Sequence, residues 1–365
     1  MIPTNKKLAI LHPYLTKKWW AVNMMIYLSN FLKDKNNDVT LYAFSYNKKL
    51  FPSNENNFKI NYFNNSKILS IFKIAYAIRK SNYIIIWNSP MHFVWVISKL
   101  LFRSKAKLIW WHHHYPWYYG QKTNVYIKLK RFFERSIIKN IDSVIVNSKY
   151  LQDSIEDIYK VNSKILYPVL DNQFLNYNSE NKKPHPQPLP SKEGRKSKVI
   201  FTYGRWVEGK NLEMIFQTYN ELKEKIPDLI LNIWWGWKEV EKFKNKYKSE
   251  KNIKFLWFVD KKQIIESLEQ SSLFLFPSKV DSFWLVILES MSIWVPVISY
   301  NLSWAKEIVK NWYNWFLVNS DSEFIEKTYE ILSNSSLRDK LSTGSINTAK
   351  TFSEHNFEKQ LSKIF

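Results

Sequence analysis

The sequence predicts an α/β protein made of two parallel-sheet domains. Three observations carry this reading. Short apolar runs alternate with amphipathic helical segments, the alternation stops in a polar proline-rich stretch, and it then begins again. A length of 365 residues is also more than a single core ordinarily serves.

Leu8–Leu11 reads as the first strand, Val22–Lys33 as a helix and Val39–Phe44 as the next strand. Ile68–Arg79 has helical spacing. Tyr83–Ile86 and Leu108–Trp111 have the uninterrupted apolar character of strands covered on both faces. Ser143–Val146 continues the set, and Asn147-Ser148 caps a helix running through Tyr150–Tyr159. Residues 176–198, with Pro184, Pro186, Pro188 and Pro190, cannot build a core and read as a linker or inserted loop.

The second half repeats the plan. Strands are expected at Val199–Tyr203, Leu229–Ile233, Ile253–Phe258, Leu273–Phe276 and Val295–Ser299, with helices at Leu212–Lys223, Lys261–Gln270 and Phe283–Ser292. The expected division is a first domain over 1–175, the linker over 176–198, a second domain over 199–350, and a C-terminal helix in 351–365 returning to the first domain. Such a pair places a ligand in the crevice at the carboxyl ends of the strands.

The composition is globular, with 45% hydrophobic and 24% charged residues. No apolar run approaches the ~18 residues of a membrane span, and the N-terminal residues lead into a strand rather than a signal-peptide core. With no cysteine there is neither a disulfide framework nor a thiol metal site, and the expected location is cytoplasmic. A net charge of +22 favours anionic partners, although a chain this rich in Lys, Asn and Ile can carry such charge as solvated surface.

Tryptophan and glycine counts are unusual, at 17 and 6. At ~7% glycine a chain of this length would carry roughly 26. Several tryptophans occupy glycine-like places. Trp19-Trp20 fills the first strand-to-helix turn, Trp294 precedes Val295-Pro296 where a helix C-cap is expected, and Trp312 and Trp315 lie among turn asparagines. The pattern is that of UGA codons, decoded as glycine by the source organism, written as tryptophan. Trp110, Trp111 and Trp117, among other aromatics, read as genuine.

The strongest chemical signal is Phe276-Pro277-Ser278-Lys279-Val280-Asp281-Ser282-Phe283-Trp284-Leu285-Val286-Ile287-Leu288-Glu289. A strand ends in a loop bearing one acid, and the following helix carries a second acid inside an apolar run. A helix N-terminus offers free N–H groups to an anion, and Ser282 is placed to cap it. A carboxylate placed like Glu289 is costly unless hydroxyls or cations meet it, as a ribose or sugar diol would.

With Trp284 and Trp294 read as glycine, this stretch resembles glycosyltransferase family 4, whose members carry two acids separated by seven residues. Gly204-Arg205 through Lys210-Asn211 resembles that family's diphosphate clamp. Ser299–Val309, with Trp304 and Glu307, resembles its sugar-phosphate loop, and Trp19-Trp20 its N-terminal loop. Asp281 stands where the family usually has Glu. The resemblance covers nearly the whole chain. It implies a GT-B fold of two Rossmann-like domains facing across a cleft, and a retaining, metal-independent transfer of a mannose- or glucose-type hexose. The donor is a nucleoside-diphosphate sugar, and the acceptor is a glycan or a lipid-linked molecule of the cell envelope. No other cofactor is expected. Arg205 and Lys210 would neutralise the diphosphate, Glu289 would accept from the ribose, and Asp281 would lie near the transferred sugar.

His112-His113-His114 follows the Leu108–Trp111 strand. Consecutive side chains of an extended segment diverge, so they share one metal ion poorly and no metal is assigned. The family resemblance gives His113 or His114 a contact with the donor sugar, while a structural role also fits. Lys122–Lys139 reads as a basic amphipathic helix, suited either to an anionic membrane surface at the inner face or to half-burial. Two other classes stay open. A basic, aromatic nucleic-acid binder would explain the charge but leaves the acid pair idle. A non-catalytic sugar-binding relative follows if the tryptophans are literal.

Overall fold

A computed structural model describes residues 2–365 apart from 17–19, 50, 52–56, 64–66, 88–90, 114–133, 178–197, 205–208, 235–237, 258–259, 280–284 and 303–304. It divides into two compact units, Met1–Pro168 with Phe357–Phe365, and Val169–Asn356.

The first unit opens with β1 (Lys7–Leu11), the two-residue β2 (Tyr14–Leu15) and α1 (Trp20–Asp34). β3 (Asp38–Ala43), β4 (Ser45–Tyr46), β5 (Lys59–Tyr62) and α2 (Lys67–Ala77) follow. Next come β6 (Tyr83–Ile86), α3 (Met91–Phe102), β7 (Lys107–His112), β8 (Ser143–Val146), a helix at Lys149–Tyr159 and β9 (Ser163–Ile165). Seven strands form one sheet in the order β5-β3-β1-β6-β7-β8-β9, and every pairing is parallel. β2 and β4 pair separately. Ser148 caps the Lys149–Tyr159 helix as expected, accepting from Leu151 N at 3.1 Å.

The inner strands β1, β6, β7 and β8 are largely apolar because both faces are covered. Ala9, Leu11, Ile84, Ile86, Leu108, Trp110, Val144 and Val146 form one cluster with Ile74, Met91, Val94, Trp95, Leu151 and Ile155 of the helices. The last residues of the chain pack into this unit too. Phe357 meets Tyr27 edge-on at 5.4 Å, and Lys35 pairs with Glu358 at 2.6 Å.

The second unit contains β10 (Lys198–Thr202), β11 (Leu229–Trp234), β12 (Ile253–Leu256), β13 (Leu273–Phe276), β14 (Val297–Tyr300) and β15 (Trp315–Val318). The sheet order is β12-β11-β10-β13-β14-β15, again all parallel. Both sheets therefore run outward from their first strand on one side, then return to its other side, which is the doubly wound Rossmann order. Helices at Leu212–Leu222, Lys261–Glu269, Leu285–Ser292, Asp321–Ser333 and Ser335–Ala349 are among those that flank this sheet.

Most boundaries agree with the sequence reading to within a residue or two. β5, α3, β9, β15 and the helices Lys238–Lys246, Asp321–Ser333 and Ser335–Ala349 are additional. The 178–197 portion of the expected linker and most of the expected 122–139 helix lie outside the described residues; residues 134–138 are helical.

The described tryptophans differ in backbone and in burial. Trp294 and Trp312 have left-handed backbone, with φ of 65° and 66°. Trp315, by contrast, is a fully buried residue of β15, and Trp110 and Trp111 are buried in β7.

Candidate functional site

In a doubly wound sheet the strand ends separate at the point where the order reverses, and ligands bind there. In the second unit that point lies between β10 and β13. Thr202 ties the two strands together, its hydroxyl donating to Leu275 O at 2.9 Å. Beyond β10 the chain runs through Tyr203 and Gly204. Gly204 has φ of 152° and open space where a Cβ would stand, so the backbone there is bare. Gly209, Lys210 and Asn211 follow, Asn211 being left-handed at φ 53° where the Leu212–Leu222 helix begins. Beyond β13 come Pro277, Ser278 and Lys279. The two loops meet, because Lys279 N donates to Gly209 O at 3.0 Å.

Glu289 sits in the Leu285–Ser292 helix that follows β13. The buried Tyr203 hydroxyl donates to its Oε2. Burial pushes the Glu289 carboxyl up to about 7, against a smaller opposing pull from the Tyr203 hydrogen bond and the charge of Lys261. The same burial, with the neighbouring carboxylate, raises the Tyr203 phenol well above its ordinary value. An acid that titrates near neutral pH is thereby tied to the residue that precedes Gly204.

Each of the two loops carries a lysine over an aromatic ring. Lys210 Nζ stands 5.6 Å from the Phe276 ring and Lys279 Nζ 5.2 Å from the Tyr300 ring. Tyr300 donates to Asp321 Oδ1 at 2.5 Å, and Asn211 Nδ2 reaches the Tyr300 oxygen at 3.5 Å. Glu307 is half-buried in the short helix Ala305–Ile308.

Of the expected site residues, the structure thus brings Lys210 and Glu289 to the switch-point end of one sheet. Trp19, His114, Arg205, Asp281 and Trp304 lie outside the described residues, as do the cap Ser282 and the side chain of Trp20, which opens α1. Tyr203, Lys279 and Tyr300 join them without having been singled out by the sequence. The signal for Tyr203 was its place, immediately before Gly204 at a strand end.

His113 belongs to the first unit and is fully buried at the end of β7. Its ring stacks on Trp87 at 4.1 Å and lies 5.0 Å from Trp111. His112 instead packs against Trp110 at 4.5 Å. The two adjacent imidazoles therefore take opposite faces of the sheet, as the strand period requires.

Comparison with known proteins decides the family. Residues 21–171 match the model of Glycosyltransferase Family 4, and residues 186–348 match that of Glycosyl transferases group 1. The chain belongs to the family 4, group 1 glycosyltransferases.

An uncharacterized glycosyltransferase of Methanocaldococcus jannaschii is 22% identical over 240 residues, 64% of this chain and 62% of that protein. One of Bacillus subtilis is 25% identical over 166 residues, 43% of this chain and 42% of that protein. The match therefore spans less than two thirds of the length of these relatives. Among solved structures, HepE of Anabaena in complex with UDP and glucose superimposes with a TM-score of 0.78 at 15% identity, covering 98% of each chain. A glycosyltransferase from Rickettsia africae gives 0.79 at 15% identity, over 99% of this chain and 97% of the other. The fold of this group 1 glycosyltransferase is thus GT-B, with two Rossmann-like units. Among the described residues, no helix is long and apolar enough to cross a membrane.

Proposed function

We propose that this glycosyltransferase moves a glucose- or mannose-type hexose from a nucleoside-diphosphate sugar to a glycan or lipid-linked acceptor, with retention of anomeric configuration. The observation that carries the reading is the contact of Gly209 with Lys279 beyond β10 and β13, at the switch point of one sheet, together with the bond from Tyr203 to Glu289. The UDP and glucose bound to HepE of Anabaena support a donor of this class.

In this reading the open backbone at Gly204 admits the diphosphate, and Arg205 and Lys210 supply the charge that its departure demands. Glu289 accepts from the ribose diol. The family resemblance assigns Trp304, Glu307 and Trp19-Trp20 to the donor, and Asp281 and His113 or His114 to the transferred sugar. As the bond from anomeric carbon to phosphate oxygen breaks, the acceptor oxygen bonds to that carbon on the same face. The departing oxyanion is the nearest base for the acceptor's proton. Two cations suffice for the leaving group, so no metal is assigned.

The test is thermal unfolding against a panel of nucleotide sugars, followed by turnover of the stabilising donor. A UDP- or GDP-linked hexose is expected to raise the unfolding temperature, and Lys210→Ala to abolish turnover while keeping the fold. No stabilisation by any donor, or unchanged turnover in Lys210→Ala, overturns the reading.

A further inference from the structure

α2 and α3 immediately precede and follow the central strand β6, and they lie side by side on the first sheet. Their inner faces are committed to the core through Ile74, Ala75, Met91, Val94 and Trp95. Their outer faces are not polar, as a solvated helix face would be. On α2, Ile68, Phe72 and Tyr76 recur every fourth residue at 69%, 43% and 53% exposure. On α3, Phe93, Leu100 and Leu101 stand at 45%, 73% and 61%. The Tyr76 ring meets Phe102 edge-on at 5.4 Å, which joins the two stripes at their C-terminal ends. An apolar face of this extent marks an interaction surface.

The charges that these two helices and their adjoining segments carry have one sign. Lys73, Lys80, Lys99, Arg103, Lys105 and Lys107 are exposed on or just beyond these helices, and Arg79 stacks on Tyr76 at 3.5 Å. The sequence has no Asp or Glu from Asn56 to Phe133. A second copy docking here would bring two uncompensated positive rims together. An anionic bilayer instead answers both features: apolar side chains enter the boundary between headgroups and acyl chains, and Lys and Arg stems reach back to the phosphates.

We propose that the α2–α3 face is a docking surface for an anionic lipid bilayer. The first unit thereby lies against the membrane through two packed helices rather than through a spanning segment. The proposal does not rest on the donor chemistry, and it would present a lipid-linked acceptor at the surface where such molecules reside.

Vesicle co-sedimentation of the full chain tests it. Vesicles of equimolar phosphatidylglycerol and phosphatidylcholine are expected to bind the protein, pure phosphatidylcholine vesicles to bind it at least tenfold less, and high salt to weaken the anionic binding. The Leu100→Glu/Leu101→Glu double variant changes two exposed side chains. It should lose at least tenfold in vesicle affinity while its unfolding temperature and its stabilisation by donor stay as in the parent. Absence of binding to anionic vesicles, or equal binding by the double variant, overturns the proposal. A concentration-dependent dimer that dissociates in the double variant would assign the face to a second copy and overturn it as well.

Discussion

The phenol of Tyr203, at the end of β10, donates its hydrogen bond to the carboxyl of Glu289, 86 residues away on the helix after β13. This one contact couples the strand end that leads into the diphosphate-type loop to the acid that the proposed function assigns to the ribose. Burial raises the acid, and the hydrogen bond pulls against that rise. Tyr203→Phe should therefore move the pH midpoint of donor binding to more alkaline values and weaken donor affinity at pH 7 by roughly tenfold, the scale of a hydrogen bond to a charged group. Donor titrations across pH in the parent and variant check this. An unmoved midpoint would reduce Tyr203 to a packing residue.

The raised acid also makes a prediction for stability without donor. Glu289 binds its proton more tightly in the folded chain, with a value of about 7 against 4.5. Its protonation therefore favours the folded state fully below pH 4.5, and that contribution drains away as pH rises to about 7. Glu289→Gln has no such proton to lose. Denaturant unfolding should show the parent losing stability relative to the variant between those limits, by an amount on the order of a few kcal/mol. Parallel curves for the two proteins would contradict the burial of the acid.

Much of this fold was readable because a parallel sheet leaves its strands as unbroken apolar runs, such as Tyr83–Ile86 and Leu273–Phe276, where β propensity and burial agree. α3 escaped because its outer face is apolar too, so Met91–Phe102 lacks the polar stripe that marks a surface helix. β5 escaped as a short edge strand whose exposed residues alternate with half-buried ones. The Asp321–Ser333 helix carried a readable start, Ser320 capping Glu323 N at 3.1 Å. Glu289 was legible because a charge in an apolar run needs a reason. Tyr203 was not, since an aromatic residue after Val199-Ile200-Phe201-Thr202 reads as more of the strand, and its partner is distant in sequence.

A third prediction concerns the contact between the turn at 310–315 and the Ser335–Ala349 helix. Asn314 is buried there, donating to Ile308 O at 2.9 Å and to Thr348 Oγ1 at 2.8 Å, while Ser345 donates to Asn314 O at 2.9 Å. A Cβ on Gly344 would stand 1.9 Å from the Tyr313 carbonyl oxygen and 2.6 Å from its carbon. Both are backbone atoms, so no rotamer relieves the clash. Gly344→Ala should cost about 1–3 kcal/mol, the range for overpacking a close contact, despite alanine's better helix propensity. The check is a lower denaturation midpoint at unchanged slope. A gain in stability would mean that the turn can withdraw from the helix.

The last prediction concerns the tryptophans. Trp294 follows the Leu285–Ser292 helix with φ of 65°. Val295 N donates to Ser290 O and Trp294 N to Met291 O, both at 3.1 Å. That pair of bonds is the Schellman closure, and its left-handed residue is ordinarily glycine because a Cβ is strained there. Pro296 then prevents the helix from continuing. Trp312 has the same backbone at φ 66° in an exposed turn, its ring edge-on to Phe316 at 4.8 Å. Relief of left-handed strain by Trp294→Gly should outweigh the packing that the half-buried indole gives up, raising stability by about 1 kcal/mol and the unfolding temperature by roughly 2–4 °C. Trp312→Gly should act in the same direction. If UGA is read as glycine in the source organism, peptide mass spectrometry of the native protein will find glycine at 294 and 312. Tryptophan at both positions, with no stabilisation of either variant, would mean that the indoles are native and that this chain caps its helix against the steric preference.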